Sequence, residues 1–168
     1  MRFETLLDEY HDEIYRYLWR LLAGAGRQDG AVGADDLTQE VFMRAYRAFG
    51  RLREGSNHRA WLYQIATNCA YSALGRRTPG PLGGDGEWLA DGSPSPEQHA
   101  ARSEALDDLR GRIAALPPKQ QGELVMRYLQ GLEYAEIAAA LQCSEDSARA
   151  NVYQAIKRLR LELHEGQA

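Results

Sequence analysis

Apolar residues recur at every third or fourth position through most of this chain, which is the spacing of amphipathic helices. The pattern predicts seven helices, over residues 3–22, 35–49, 59–74, 97–115, 120–129, 133–141 and 145–163. No alternation typical of a strand extends beyond three residues, and there is no internal repeat. We therefore expect an all-α fold whose short helices pack together to bury their apolar stripes.

Residues 78–97 interrupt this pattern with a segment rich in Gly, Pro, Ser and Asp. Such a composition does not sustain a helix or a strand. The segment contains four acidic residues and no basic one. The sequence therefore predicts two small helical domains, 1–77 and 98–168, which are joined by a flexible acidic linker.

The second half contains the strongest local motif of the chain. A short helix, a three-residue turn and a longer helix follow one another between Tyr134 and Arg160, with apolar positions spaced to pack the two helices together. This order predicts a helix-turn-helix, whose second helix enters the major groove of DNA. Its candidate DNA-contacting residues are Ser147, Arg149, Asn151, Tyr153, Gln154, Lys157 and Arg158. Arg suits guanine, Asn and Gln suit adenine, and the last two cations suit phosphates.

Charge and composition limit what this motif can do alone. The formal net charge is −4, which argues against strong autonomous DNA binding, because phosphate neutralisation supplies most of that affinity. No apolar run approaches the roughly 20 residues that span a bilayer, and the N-terminus is too acidic for a secretory signal. We expect a cytoplasmic chain without membrane insertion, with Cys69 and Cys143 as free, buried thiols.

Three segments together resemble the extracytoplasmic-function sigma factors, the smallest members of the main bacterial sigma family. The segments are DDLTQEVFMRAYRAF (35–49), RAWLYQIATNCAYSALGRR (59–77) and LPPKQQGELVMRYLQGLEYAEIAAALQCSEDSARANVYQAIKRLR (116–160). They resemble, in order, the family's polymerase-binding helix, its minus-ten helix and its minus-thirty-five domain. The resemblance implies a factor that binds core RNA polymerase and directs promoter-specific initiation in a stress or signal response.

The resemblance also implies roles for single residues in the first half. The polymerase-binding residues would be Asp36, Gln39, Glu40 and Arg44. The minus-ten residues would be Gly55, Ser56, Asn57, His58 and Asn68, where a polar loop captures a flipped base, with Arg76 and Arg77 near phosphates. Tyr63 and Tyr71 either stack on single-stranded bases or pack in the core, and both interpretations stay open. For Trp61 core packing is favoured.

Four positions depart from the family's pattern. The family usually has Asp where Ser72 stands and Arg where Gly75 stands, and it often has Arg where Asn151 and Gln154 stand. These differences reduce the positive charge near both promoter elements. They therefore leave the promoter sequence open.

The resemblance implies three partners: core RNA polymerase through its clamp and flap regions, promoter DNA, and an anti-sigma protein. Three other functions remain as alternatives. A free-standing regulator would need only the helix-turn-helix and would bind DNA without polymerase. An anti-sigma or adaptor protein would need no basic recognition helix. An enzyme would need a catalytic motif, and the sequence contains no nucleophile–base pair, metal cluster or phosphate loop, so we expect no catalytic residue, metal or cofactor.

Overall fold

A computed structural model describes residues 2–22, 33–75 and 96–165, without the side chains of 96–103 and 165. Its helices are α1 (Phe3–Leu22), α2 (Ala34–Phe49), α3 (His58–Gly75), α4 (Pro96–Ala114), α5 (Pro118–Leu124), α6 (Tyr134–Leu141) and α7 (Glu145–Glu165). A π-helical turn, Val125–Leu129, continues α5. The described ranges contain helices and no strand, so the all-α prediction is confirmed. None of the described helices is long and apolar enough to cross a membrane.

Helices α1, α2 and α3 pack on one another in pairs and form the first half of the fold. Most of the apolar stripe of α1 is buried, including Leu6, Ile14, Leu18 and Leu21, as its 3.6-residue spacing predicts. It packs against Leu37, Val41 and Ala45 of α2 and against the buried face of α3. A buried hydrogen bond of 2.9 Å between Tyr17 Oη and Thr67 Oγ1 satisfies the polar groups where α1 meets α3.

The second half is built around α7, which packs against α5 and α6. Val152 and Ala155 of α7 are fully buried in a small cluster with Leu116 and Leu124. The predicted helix-turn-helix is present as α6 and α7, separated by residues 142–144. The turn is made by Gln142, whose φ of 54° lies in the left-handed region that ends many helices.

The two halves share one hydrophobic core. Met126, Leu132, Ile137 and Ala140 belong to the same buried cluster as the apolar side chains of α1, α2 and α3. Helix α3 packs on α6, and α1 packs on the π-helical turn. The helices predicted for two separate domains are therefore closed against each other in this structure.

Most of the predicted linker lies outside the described residues. Residues 78–95 lie outside the described residues, whereas α4 begins at Pro96. The last two residues assigned to the linker are therefore helical, because proline suits the first turn of a helix. The boundaries 1–77, 78–97 and 98–168 stay a prediction.

The π-helical turn was not predicted, since the sequence favoured a single helix over 120–129. The N–H of Gln130 donates to the carbonyl of Val125 at 3.0 Å, which is the hydrogen bond between residues five apart that defines a π-helical turn. The carbonyl of Leu129 accepts a hydrogen bond from Arg20 Nη1 at 3.0 Å. The turn thereby links the second half to α1.

Truncating a core leucine should destabilise the fold far more than truncating an exposed one. Leu18 is fully buried, whereas Leu161 on α7 is 56% exposed. We expect Leu18→Ala to lower the free energy of unfolding by about 2–5 kcal/mol, through lost transfer energy and the cavity left behind. Leu161→Ala should change it by no more than about 0.5 kcal/mol. Urea unfolding followed by circular dichroism measures both, and equal losses would contradict the described core.

Candidate functional site

The outer face of α2 carries the polar residues predicted to bind a partner. Asp36, Gln39 and Arg44 are exposed, and Glu40 is half-buried. Arg44 forms an ion pair with Glu40 one helical turn away. The four residues thus share one face, and their binding role stays a prediction.

Large apolar side chains lie beside that polar face. Met43 is 50% exposed and Tyr46 is 66% exposed on α2. A cleft of about 660 Å³ between α1 and α2 is lined by these two residues and by Phe3, Leu7 and Phe42. Apolar anchors beside charged residues are typical of a protein-binding surface rather than of a solvated face.

The loop that precedes α3 is held by its own polar side chains. Gly55 has a φ of +80°, which residues with a Cβ rarely adopt. Ser56 Oγ donates to the carbonyl of Arg53 at 2.7 Å. Asn57 Oδ1 accepts from the N–H of Ala60 at 3.0 Å and thereby caps the start of α3, next to half-buried His58. This loop presents a fixed polar surface at the N-terminus of α3.

Asn68 lies on the same helix as this loop but farther along it. Its side chain is exposed, ten residues beyond His58. At 1.5 Å per residue, the two positions are about 15 Å apart along α3. The loop and Asn68 would therefore meet different nucleotides rather than form one pocket. Arg76 and Arg77 lie outside the described residues.

Tyr63 lies in the core, which is one of the two interpretations that the sequence left open. It is fully buried, its ring packs edge-on against Tyr17 at 4.9 Å, and its hydroxyl donates to Glu13 Oε1 at 2.8 Å. Burial and the neighbouring Glu13 carboxylate raise the pKa of Tyr63, so the hydroxyl stays protonated. The α3 face that bears Tyr63 points towards α1 and is closed to a base.

Tyr71 is occupied by a contact with the second half. Its half-buried side chain reaches α5, where the hydroxyl donates to the carbonyl of Pro118 at 2.6 Å. A base could stack on Tyr71 only after the two halves separate. Trp61 is half-buried against the core, in agreement with the interpretation favoured from the sequence.

Helix α7 presents most of its predicted DNA-contacting residues to solvent. Its N-terminus is capped by Ser144 Oγ, which accepts from the N–H of Ser147 at 3.1 Å. The exposed residues are Ser147, Arg149, Tyr153, Gln154, Lys157 and Arg158. The Arg149 guanidinium lies 4.4 Å from the ring centroid of Tyr134, a cation–π contact that orients it.

Asn151 differs from the other candidates on α7. It is half-buried, and its Nδ2 donates to Glu123 Oε1 of α5 at 3.1 Å. Asn151 also lines a cleft of about 210 Å³ together with Ser147 of α7 and with Gln64 and Asn68 of α3. Residues predicted to read two separate DNA elements therefore face one narrow cleft.

Arg59 joins the two halves at the end of this interface. Its Nη2 lies 2.6 Å from Glu13 Oε1 of α1, and its Nη1 lies 3.0 Å from Glu136 Oε1 of α6. Burial alone would lower the pKa of Arg59, but its hydrogen bonds to Glu13 and Glu136 raise it. The sequence did not reveal this contact, because residues so far apart in the chain carry no pairing signal.

The two cysteines are free in the described residues. Cys69 is buried as predicted, whereas Cys143 in the helix-turn-helix turn is only half-buried. Burial raises the pKa of both thiols, which makes the thiolate less available at neutral pH.

Comparison with known proteins gives matches over most of the chain. The family model for Sigma-70 region 2 matches residues 6–79, and that for Sigma-70, region 4 matches residues 106–159. The RNA polymerase sigma-H factor of Pseudomonas aeruginosa is 30% identical over 91% of this chain and 81% of its own length. The ECF RNA polymerase sigma-E factor of Haemophilus influenzae is 30% identical over 91% of this chain and 82% of its own.

A solved structure has the same fold. It is that of the sigma factor RpoE in complex with the anti-sigma factor NepR from Bartonella quintana. Its TM-score is 0.69 at 21% identity, and the match covers 96% of each chain.

The core role of Tyr63 can be tested against an exposed tyrosine. Tyr63→Phe removes the hydroxyl that donates to a partly buried carboxylate, so we expect a loss of about 1–3 kcal/mol in unfolding free energy. Tyr46→Phe, at a side chain that is 66% exposed, should change it by less than about 0.5 kcal/mol. Urea unfolding gives both values. Unchanged stability in Tyr63→Phe would contradict this role of the hydroxyl in the core.

Proposed function

Since this chain belongs to the sigma-70 family, as an extracytoplasmic-function sigma factor that directs RNA polymerase to initiate transcription, we propose how its helices divide that work. It binds polymerase and promoter DNA and is not an enzyme. In the proposal, α2 binds the polymerase clamp. The loop before α3 and α3 itself read the minus-ten element, and α7 reads the minus-thirty-five element.

The exposed face of α7 is the single observation that carries the proposal. It combines base-reading side chains near the capped N-terminus with Lys157 and Arg158 two to three turns farther along. Between residues 147 and 161 the helix has four cations and no acid. Arg149 and Gln154 can donate and accept at base edges, while the later cations neutralise phosphates. Asn151 joins them once it is released from Glu123.

The proposed minus-ten surface consists of the loop residues Gly55, Ser56, Asn57 and His58 and the more distant Asn68. Small polar groups held by the α3 cap can hydrogen-bond the exposed edge of an unpaired base without a large conformational cost. Asn68 then contacts a neighbouring nucleotide about 15 Å farther along the helix. Arg76 and Arg77 would follow the strand through its phosphates.

The proposed clamp contact uses the mixed surface of α2. Asp36, Gln39, Glu40 and Arg44 supply orientation through polar contacts. The adjacent cleft, with Met43 and Tyr46 exposed at its edge, supplies apolar area that a partner helix can bury. The second half would then sit near the polymerase flap.

Polymerase must hold the two halves apart for both elements to be read. The elements are roughly 25 base pairs apart, which is about 85 Å of duplex at 3.4 Å per pair. Asn68 and Ser147 line one cleft of about 210 Å³ in the closed structure and cannot span that distance. The two halves then make two DNA contacts that are each weak alone. Because polymerase holds both halves in place, binding of one raises the effective concentration of the other at its element. This suits a chain with a net charge of −4.

An anti-sigma protein is the further partner that we propose. The fold matches that of a sigma factor solved with an anti-sigma factor, and the cleft between α1 and α2 offers an apolar surface that such a partner can cover. Action on polymerase implies that the chain works in the cytoplasm.

Transcription with purified components tests the proposal. Core polymerase, with and without this protein, is given promoter DNA selected from a random library. We expect specific starts with paired upstream elements only when the protein is present. Asn68→Ala and Arg149→Ala should each reduce initiation roughly tenfold or more, since a good base contact is worth about 1–3 kcal/mol. Gln39→Ala should instead raise the protein concentration needed for half-maximal transcription.

Arg51→Ala is the matched control, because Arg51 is exposed and belongs to none of the proposed surfaces. It should transcribe as the unsubstituted chain does. An unaffected core polymerase, together with tight binding of one DNA site by the protein alone, would overturn the proposal in favour of a free-standing regulator.

A further inference from the structure

Glu123 is a buried acid at the interface between the two halves. It lies on α5, is only 1% exposed, and has Asn151 as the hydrogen-bond donor to its Oε1. Its Oε2 has no hydrogen-bond partner among the described residues. Burying an ionised carboxylate in this way costs free energy, because its Oε2 has lost hydration without gaining a hydrogen-bond donor.

A side-chain contact between α3 and α5 helps to bury Glu123. Tyr71 of α3 lies over α5, with its hydroxyl bonded to the carbonyl of Pro118. This approach requires Gly122, since a Cβ at that position would lie 2.6 Å from the Tyr71 hydroxyl oxygen. Glu123 also forms part of the wall of the 210 Å³ cleft that separates α3 from α6 and α7.

Few groups near Glu123 can compensate its charge. Tyr17 of α1, Tyr71 of α3 and Cys143 of the turn before α7 face it, and burial raises the pKa of all three, so they stay neutral at pH 7. Lys119 on α5 is the cation that acts on Glu123, and it is exposed. Asn151 of α7 adds one neutral donor. The surroundings therefore favour the protonated acid.

We propose that Glu123 is a proton-controlled latch between the halves: the neutral acid permits the closed contact of Tyr71 in α3 with α5, and loss of the proton opens it. Opening exposes the carboxylate to water. It also widens the cleft that Asn68 and Ser147 line, although both side chains are already exposed in the closed structure. The latch concerns the chain's own closed–open equilibrium and goes beyond its role in transcription.

The direction of the pH dependence follows from the shift at Glu123. Burial raises the pKa of Glu123 from its ordinary 4.5 to about 7 in the closed structure, against the opposing effects of Asn151 and Lys119. Closure is therefore fully favoured below pH 4.5 and weakens as the pH rises to about 7. A shift of this size changes the closed-to-open ratio by up to roughly 300-fold in all, of which about tenfold falls between pH 6 and pH 8.

Single-molecule energy transfer measures this ratio directly. Dyes are placed on Asp12→Cys in α1 and Arg160→Cys in α7, both exposed positions, in a chain that also carries Cys69→Ala and Cys143→Ser. We expect the open fraction to rise between pH 6 and pH 8, with the odds of opening increasing about tenfold. Glu123→Gln, which cannot ionise, should remain closed at both pH values.

Glu145→Gln is the matched control, because it removes one exposed carboxylate at the start of α7. It should follow the pH dependence of the unsubstituted chain. A second variant, Gly122→Ala, should be more open at every pH, since its Cβ meets the Tyr71 hydroxyl, although alanine favours the helix itself. Gly122→Ala also provides the test in two cases. In the first, the unsubstituted chain is so predominantly closed that too few open molecules can be counted. In the second, Glu123→Gln loses its helical circular dichroism signal.

A closed-to-open ratio that does not change with pH in the Gly122→Ala background would overturn the proposal. A pH dependence that persists in Glu123→Gln would also overturn it. Neither measurement needs polymerase or DNA, so either failure would leave the proposed promoter-reading function standing.

Discussion

Arg59 links the helices on which the closed arrangement depends. One guanidinium from α3 contacts Glu13 of α1 and Glu136 of α6, and it also reaches the carbonyl of Gln130 at 3.3 Å. The side chain of Arg59 is only 26% exposed, so removing a partner would leave a charge that water hydrates poorly. Around this point the two halves bury Met126, Leu132 and Ile137 in a common core. The ion pairs of Arg59 thereby fix the register in which the apolar surfaces of the two halves pack against each other.

This closure has a direct consequence for promoter recognition. The surface that would bind the clamp lies on α2, away from the interface, and is free in the closed chain. The residues that would read DNA are divided: Arg149, Tyr153 and Gln154 lie on the exposed outer face of α7, whereas Asn68, Ser147 and Asn151 line the cleft between the halves. An order in which polymerase binds first and DNA second fits the low autonomous DNA affinity that is expected of a chain with a net charge of −4.

The helices were predictable from the sequence because apolar periodicity and turn residues determine them locally. The helix-turn-helix followed from its three-residue turn, and the exposed faces of α2 and α7 followed from their polar positions. The sequence did not reveal how the halves meet, since pairs such as Arg59–Glu136 form between residues distant in the chain. Tyr63 was ambiguous for the same reason, because an aromatic residue on a helix suits a core or a base equally. Glu123 left only a weak signal, an acid directly before the apolar run Leu124–Met126.

We expect the two halves of the chain to be closed against each other when it is free and separated when it reads a promoter. Pulsed electron paramagnetic resonance tests it with nitroxide labels at two exposed positions outside the proposed binding surfaces, Arg51 after α2 and His164 near the end of α7, after replacement of both native cysteines. The free protein should give one short, narrow distance distribution. The complex with core polymerase and promoter DNA should give a distance longer by several tens of ångströms, because the two DNA elements are about 85 Å apart. An unchanged distance in an actively initiating complex would contradict the account.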